Sequence, residues 1–418
     1  MTHKNFDFSS IVAWVGIDWA DRRHAVAYEG TQWPKNKTRV SLSIAHTATA
    51  LIEFVARLRK EFSDGLIAIA IEQAKGGLIH HLMGYGFFVF FRVNPTAFSN
   101  YRKSFRGSGA KDDPSDADLL LDYVMKQPER FRPWLPEDST FRMLRNLVEA
   151  RRVLVDKRTA FTNHITSKLK YYFPEALDLV GQISSVQACD FLEKWPTLQC
   201  LKSVHPEEIR TFYLEHRCRR TKVIQERIQQ IQQMQPFICD EAIILPSKLS
   251  VQTSAALVRH LTKAIALYDQ NIQSIFKDHP DRHIYQSFPG AGTVLQARLA
   301  ALMGIDRDRF SSAKELRIFT GVAPITRTSG NSRQVLFRYS CPKFLRQTLH
   351  EFAACSLPKA PWAKALYELQ KQKHKKHHAA VRAVAFKWAA IIYHCWKNRV
   401  CYDPQKAQTQ KTNSDLDR

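Results

Sequence analysis

The chain has 418 residues, 44% of them hydrophobic, with 62 Lys plus Arg against 39 Asp plus Glu and a formal charge of +23. That length supports roughly two to four domains with sizeable cores, and the apolar fraction excludes a globally disordered chain. A cationic surplus of this size predicts a polyanionic partner, nucleic acid ahead of an anionic membrane surface.

No apolar run approaches the roughly 18 residues that span a bilayer, so no membrane association is expected. The first residues lack the basic-then-apolar pattern of a secretory leader. The eight cysteines are scattered with no CxxC pair, which reads as reduced thiols of a cytoplasmic protein. Charge is unevenly spread: residues 1–140 carry a net +2, residues 141–275 a net +6 and residues 276–418 a net +15.

Ile11 to Ile17 is a continuous apolar run, the pattern of a strand buried on both faces, and His24 to Glu29 alternates like a paired neighbour. Residues 45–62 have helical spacing. Leu66 to Ile71 and Phe87 to Val93 are two more buried strands, the second closed by Asn94–Pro95. Asp113 to Met125 is helical, with Pro114 in the first turn where proline is tolerated. Strands alternating with helices predict one α/β domain.

From 141 the pattern changes. Leu144, Leu147, Val148, Leu154, Val155, Phe161, Ile165, Leu169 and Tyr172 recur at threes and fours, predicting one long amphipathic helix ended by Pro174. A second helical stretch runs from about 205 to Gln235. The pair reads either as a solvated helical hairpin or as a coiled-coil arm for dimerisation, its apolar seam interrupted by Arg151 and Arg158. Residues 276–402 form a mainly helical C-terminal region, and residues 403–418 a loose tail.

The candidate chemistry begins with carboxylates. Asp18 ends the first apolar strand and Glu72 the second, while Asp113 and Asp116 share one face of a helix start. Four converging acids repel one another, and divalent cations such as Mg²⁺ or Mn²⁺, which prefer hard oxygen ligands, would neutralise them. Metal bound there would support phosphodiester chemistry. Each acid also has a plainer role open to it, in a turn or against a helix dipole.

In the C-terminal block, Pro289–Gly290–Ala291–Gly292 precedes an apolar helix, so Gly290 and Gly292 would leave amides open to a phosphate, as in a helix–hairpin–helix element, or form a plain turn. Ala313 to Phe319 is a further helix, broken by Gly321–Val322–Ala323–Pro324. Thr326 to Arg333 reads as a polar loop with Ser329 between Arg327 and Arg333. Lys371 to His378, including Lys375 and Lys376, is a basic run that suits nucleic-acid backbone contact or a solvated helix start.

These motifs, in this order along nearly the whole chain, resemble the DEDD-type insertion-sequence transposases of the IS-one-ten group. The matching residues are Gly16–Ile17–Asp18, Ile71–Glu72, Val93–Asn94–Pro95 and Lys111–Asp112–Asp113–Pro114–Ser115–Asp116–Ala117. Beyond them lie Pro289–Gly290–Ala291–Gly292, Phe310 to Leu316, Gly321–Val322–Ala323–Pro324 and Ser329–Gly330. The resemblance implies a RuvC-like, RNase H-like α/β domain over 1–140 with Asp18, Glu72, Asp113 and Asp116 as its acidic tetrad. A helical coiled-coil region for dimerisation over 141–275 and a C-terminal transposase domain over 276–402 would follow.

It also implies that Ser329 is the nucleophile of a covalent serine–DNA intermediate and that serine and acids meet across subunits. The partners would be donor and target DNA and a noncoding guide RNA, held by a homodimer or homotetramer near the nucleoid of a bacterium or archaeon. Two departures stand out: Tyr339–Ser340–Cys341–Pro342–Lys343 replaces the family's glycine-bearing basic stretch, and Trp19–Ala20 follows Asp18. Two other readings of the same residues are a metal-only, junction-resolvase-like nuclease and a domesticated, non-catalytic nucleic-acid-binding protein.

Overall fold

The computed structural model describes residues 6–34, 36–72, 76–105, 113–131, 133–134, 138–330 and 332–409. The chain forms two compact units, Met1–Asp138 and Ser139–Arg418.

The first unit is built on a six-stranded sheet of order β3-β2-β1-β4-β5-β6. Its elements run β1 (Ile11–Asp18), β2 (Arg23–Gly30), β3 (Val40–Ala45), α1 (Ala48–Glu61), β4 (Leu66–Ile71), α2 (Gly77–Leu82), β5 (Phe88–Arg92), α3 (Pro95–Phe105), α4 (Asp113–Lys126) and β6 (Pro133–Trp134). β1 pairs antiparallel with β2 and parallel with β4, and β4 pairs parallel with β5. The apolar runs at β1, β4 and β5 are central strands, buried as their continuous hydrophobicity requires. One face packs on Leu51, Phe54, Val55 and Leu58 of α1, the other on Ala117, Leu120, Leu121 and Val124 of α4. β3, α2 and α3 were not foreseen from sequence.

The second unit is mainly helical. Helix α5 (Ser139–Tyr172) leads into five shorter helices: α6 (Ala176–Val180), α7 (Val186–Lys194), α8 (Leu198–Lys202), α9 (Pro206–Glu215) and α10 (Thr221–Gln233). Helix α11 (Glu241–Lys277) is followed by α12 (Arg282–Gln286), α13 (Thr293–Met303), α14 (Ala313–Phe319), the hairpin β7 (Ile325–Ser329) and β8 (Ser332–Leu336), α15 (Lys343–Ser356), α16 (Pro361–Gln372), α17 (His377–Asn398) and α18 (Pro404–Thr409). What reads from sequence as the start of a loose tail is therefore helical to Thr409.

The apolar seam of α5 packs chiefly on α11, with the 205–235 stretch sharing only the core cluster at its C-terminal end. Leu144 and Val148 cluster with Ile272 and Phe276, whereas Ile165 and Leu169 cluster with Val251, Ala255 and Val258, so the two long helices run antiparallel. Arg151, which interrupts the seam, is paired with Asp269 of α11, and His164 meets Ser250 at 2.7 Å. The 205–235 stretch itself is broken between α9 and α10, where Arg217 adopts a φ of 63°. No described helix is long and apolar enough to cross a membrane.

Candidate active site

Parallel pairing of β1 with β4 matches Ile17 to Ile71, so Asp18 and Glu72 occupy adjacent positions at the same end of neighbouring central strands. Both are half-buried. Helix α4 lies directly over β1 because residue 16 has no side chain: a Cβ on Gly16 would sit 2.3 Å from the Ala117 carbonyl oxygen and 2.9 Å from the Leu121 Cβ. This close approach seats Asp116, next to Ala117, in the interior at 2% exposure.

Asp116 is held from one side. Arg102 of α3 donates to its Oδ2 at 2.7 Å, while its Oδ1 is buried with no hydrogen-bond partner among the described residues. A buried carboxylate oxygen left in that condition is costly, which makes it a candidate for a cation. Asp113 begins α4, but its side chain lies outside the described residues, as do Lys111 and Asp112. Among the described residues, no three carboxylate, imidazole or thiol groups converge into a set that could hold a metal. The fit to Mg²⁺ or Mn²⁺ therefore rests on the all-oxygen donor chemistry and on the Asp116 Oδ1 atom.

Beside this strand end lies a pair of histidines that motif reading passed over. His24, fully buried on β2, accepts from the Ala20 amide through Nδ1 at 3.3 Å, which leaves its Nε2 to donate to Nδ1 of His46 at 2.9 Å. Burial, then the neighbouring His46, pushes the His24 pKa down, so the neutral ring anchors the chain just after Asp18. Arg102 was missed for a plainer reason: nothing in the spacing of residues 95–105 announces an ion pair 14 positions along the chain.

In the second unit, the segment that reads as a polar loop lies on the two strands of the β7–β8 hairpin, Thr326–Ser329 on β7 and Ser332–Arg333 on β8, with Asn331 outside the described residues. Ser329 pairs with Ser332 and Arg327 with Gln334, while Thr328 pairs with Arg333. Opposed residues share a face and successive residues alternate, so Arg327 lies on the face of Ser329 and Arg333 on the opposite one. Gly330 follows Ser329 at a φ of 54°, the left-handed region that favours glycine. The tip is exposed, and the base is pinned by Arg338, which donates to the carbonyls of Ala323 at 3.2 Å and Pro324 at 3.4 Å.

The two glycines before α13 differ. A Cβ on Gly290, whose φ is 82°, would meet the Cys355 carbonyl oxygen at 2.3 Å, so this residue is required by packing against α15. Gly292 is the N-cap of α13 and faces open space. Lys375 and Lys376 are exposed ahead of α17, which Lys376 caps.

The mixed α/β sheet with its flanking helices, followed by a mostly helical region, fits the architecture of a DEDD-type, RNase H-like domain. Residues 15–174 match a DEDD transposase family profile, and residues 282–368 match that of the transposase IS116/IS110/IS902 family. The chain is 30% identical to a Streptomyces coelicolor protein named as a transposase for the IS117 mini-circle, over 95% of this chain and 97% of that one. It is 25% identical to the 42 kDa protein of insertion element IS900 from Mycobacterium paratuberculosis, over 94% and 97% of the two chains. The chain belongs to the IS110-type family of insertion-sequence transposases, whose activity is DNA recombination.

Proposed function

We propose that this transposase moves its element by divalent-metal-dependent DNA strand transfer through a covalent serine–DNA intermediate, with a noncoding RNA as guide. In this reading residues 1–140 supply the acids, residues 141–275 serve dimerisation and residues 276–402 supply the serine. The observation that carries it is the buried, unpartnered Oδ1 of Asp116 on a helix seated over the strand that ends in Asp18. The surplus of basic residues after position 275 supports the holding of DNA and RNA.

Asp18, Glu72, Asp113 and Asp116 would hold Mg²⁺ or Mn²⁺, which when bound supplies positive charge at the scissile phosphate. Arg102, donating to Asp116 Oδ2 at 2.7 Å, orients that carboxylate. Ser329 Oγ attacks phosphorus: the Oγ–P bond forms as the bond from phosphorus to the departing nucleoside oxygen breaks, and the hydroxyl proton ends on that oxygen. Arg327, on the same face, donates to the phosphoryl oxygens as charge builds. Arg333, on the other face, holds the flanking backbone, and Gly292, Lys375 and Lys376 contact phosphates elsewhere. A hydroxyl of a second DNA end then displaces the serine, restoring it with the number of phosphodiesters unchanged. Two or four copies act together in the cytoplasm, at the nucleoid.

The test is to incubate the protein with guide RNA, donor DNA, target DNA and Mg²⁺ and to seek a denaturation-resistant protein–DNA adduct. The adduct is expected with the wild type and absent from Ser329→Ala. An adduct that survives Ser329→Ala overturns the serine's role, and metal-dependent cleavage that never becomes covalent establishes the junction-resolvase-like reading instead.

A further inference from the structure

The segment leaving the serine hairpin carries an arrangement that the chemistry above does not use. Phe337 directly follows β8, and two cations pack on its ring: the guanidinium of Arg346 lies 4.7 Å and that of Arg382 4.6 Å from its centroid. Arg346 and His350 sit one turn apart on α15, and His378 and Arg382 one turn apart on α17. The rings of His350 and His378 approach to 5.3 Å. Among the described residues, neither Arg346 nor Arg382 forms an ion pair. Tyr339 stands edge-on to Phe337 at 4.8 Å and is 79% exposed.

Two guanidiniums gathered on one ring without a carboxylate repel one another, and burial together with Arg346 pulls the Arg382 pKa down. Such a site is stabilised by an anion. An aromatic ring this exposed, beside it, gains by stacking with another ring. Phosphate charge and a free π-face occur together in an unpaired nucleotide, whereas a duplex keeps its base faces stacked inside. The platform also lies on the path from the hairpin tip: Phe337 is five residue steps along the strand direction from Ser332, about 17 Å.

We propose that Tyr339, Phe337, Arg346 and Arg382 form a stacking platform for an unpaired nucleotide of the DNA strand that flanks the phosphate attacked by Ser329. This rests on the serine reading for the identity of the strand. The base lies on Tyr339, and its phosphates face Arg346 and Arg382.

The test measures binding of the full-length protein to fluorescein-labelled oligo-dT, the matching duplex and oligo-rU by fluorescence anisotropy. Tyr339→Leu is expected to weaken oligo-dT binding by about tenfold while leaving duplex binding unchanged, and Tyr339→Phe to retain it. Arg382→Met should weaken oligo-dT binding and flatten its salt dependence. Equal losses for single strand and duplex, or a loss confined to oligo-rU, would overturn the platform. Ser329→Ala should bind oligo-dT as the wild type does, so a failure of the serine assignment appears in the adduct assay and a failure of the platform appears here.

Discussion

Gly16 and Ala117 touch backbone to backbone: there is room on the strand for a hydrogen at residue 16 and for nothing larger beneath the Ala117 carbonyl. The contact sets the height of α4 above the sheet and with it the depth of Asp116. Gly16→Ala should therefore destabilise the first unit by about 2–3 kcal/mol, through overpacking against backbone. Hydrogen exchange provides the check: amides of α4 should lose protection, and unchanged protection would mean that the helix is not seated by this glycine.

Arg102 and Asp116 make the second prediction. Arg102→Gln leaves a buried carboxylate without its charge-assisted partner and should cost about 1–3 kcal/mol in urea unfolding, with Arg102→Lys recovering part of the loss. Mn²⁺ binding, followed by electron paramagnetic resonance, should weaken strongly in Asp116→Asn. Wild-type Mn²⁺ affinity in that variant would remove Asp116 from the ligand set.

The two arginines of the serine hairpin should separate. Arg327→Ala, which alters the face that Ser329 occupies, is expected to slow adduct formation by about tenfold or more at saturating DNA. Arg333→Ala should instead weaken DNA binding and reduce its salt slope by about one, with the saturating rate retained. Single-turnover kinetics distinguish the two, and equal effects on rate would contradict the assignment of faces.

Gly290 and Gly292 should behave as opposites. Gly290→Ala forces a Cβ into the Cys355 carbonyl at a positive φ and is expected to lower the Tm by several degrees, about 2 kcal/mol or more. Gly292→Ala has open space and an extended backbone, so it should fold normally, and any loss of DNA affinity would then report a phosphate contact. Circular dichroism melts with parallel binding curves read both.

A pH effect is expected at His216, whose Nε2 meets Asp190 at 2.8 Å. Burial pulls its pKa down, but the bond to Asp190 and the Phe212 carbonyl outweigh this and leave it raised above 6.5. A base with a raised folded pKa contributes stability that is fully present below about pH 6.5 and is lost as pH rises through the folded value. The stability difference between wild type and His216→Gln should accordingly shrink above neutrality, and a difference that grows with pH would refute the pairing.

Much of the first unit was legible because its signals are local. Ile11 to Ile17 and Leu66 to Ile71 are apolar without interruption, so they read as buried strands, and the acids that end them stand out against that background. β3 is readable in principle, since Val40–Ser41–Leu42–Ser43–Ile44 alternates apolar and polar residues as an edge strand with one exposed face does, but the run is only five residues long. The pairing of α5 was misjudged for a different reason. Periodicity identifies a seam, but any apolar stretch of the right length can fill it, and the Gln-rich segment is nearer in sequence than α11.

The order of the candidate residues is legible in the sequence alone: Asp18, Glu72, Asp113 and Asp116, then Ser329 between arginines, on a chain whose positive charge gathers toward its end. Strand ends, helix starts and net charge are properties of short segments, and they survive without knowledge of contacts. Only the tertiary structure decided that Arg102 holds Asp116, that Asp269 answers the arginine interrupting the α5 seam and that Arg327, not Arg333, shares a face with Ser329. The first two join residues distant along the chain, and the third turns on hairpin register: Arg327 shares the face of Ser329 by strand alternation, whereas a slip of one residue would have moved Arg333 onto it.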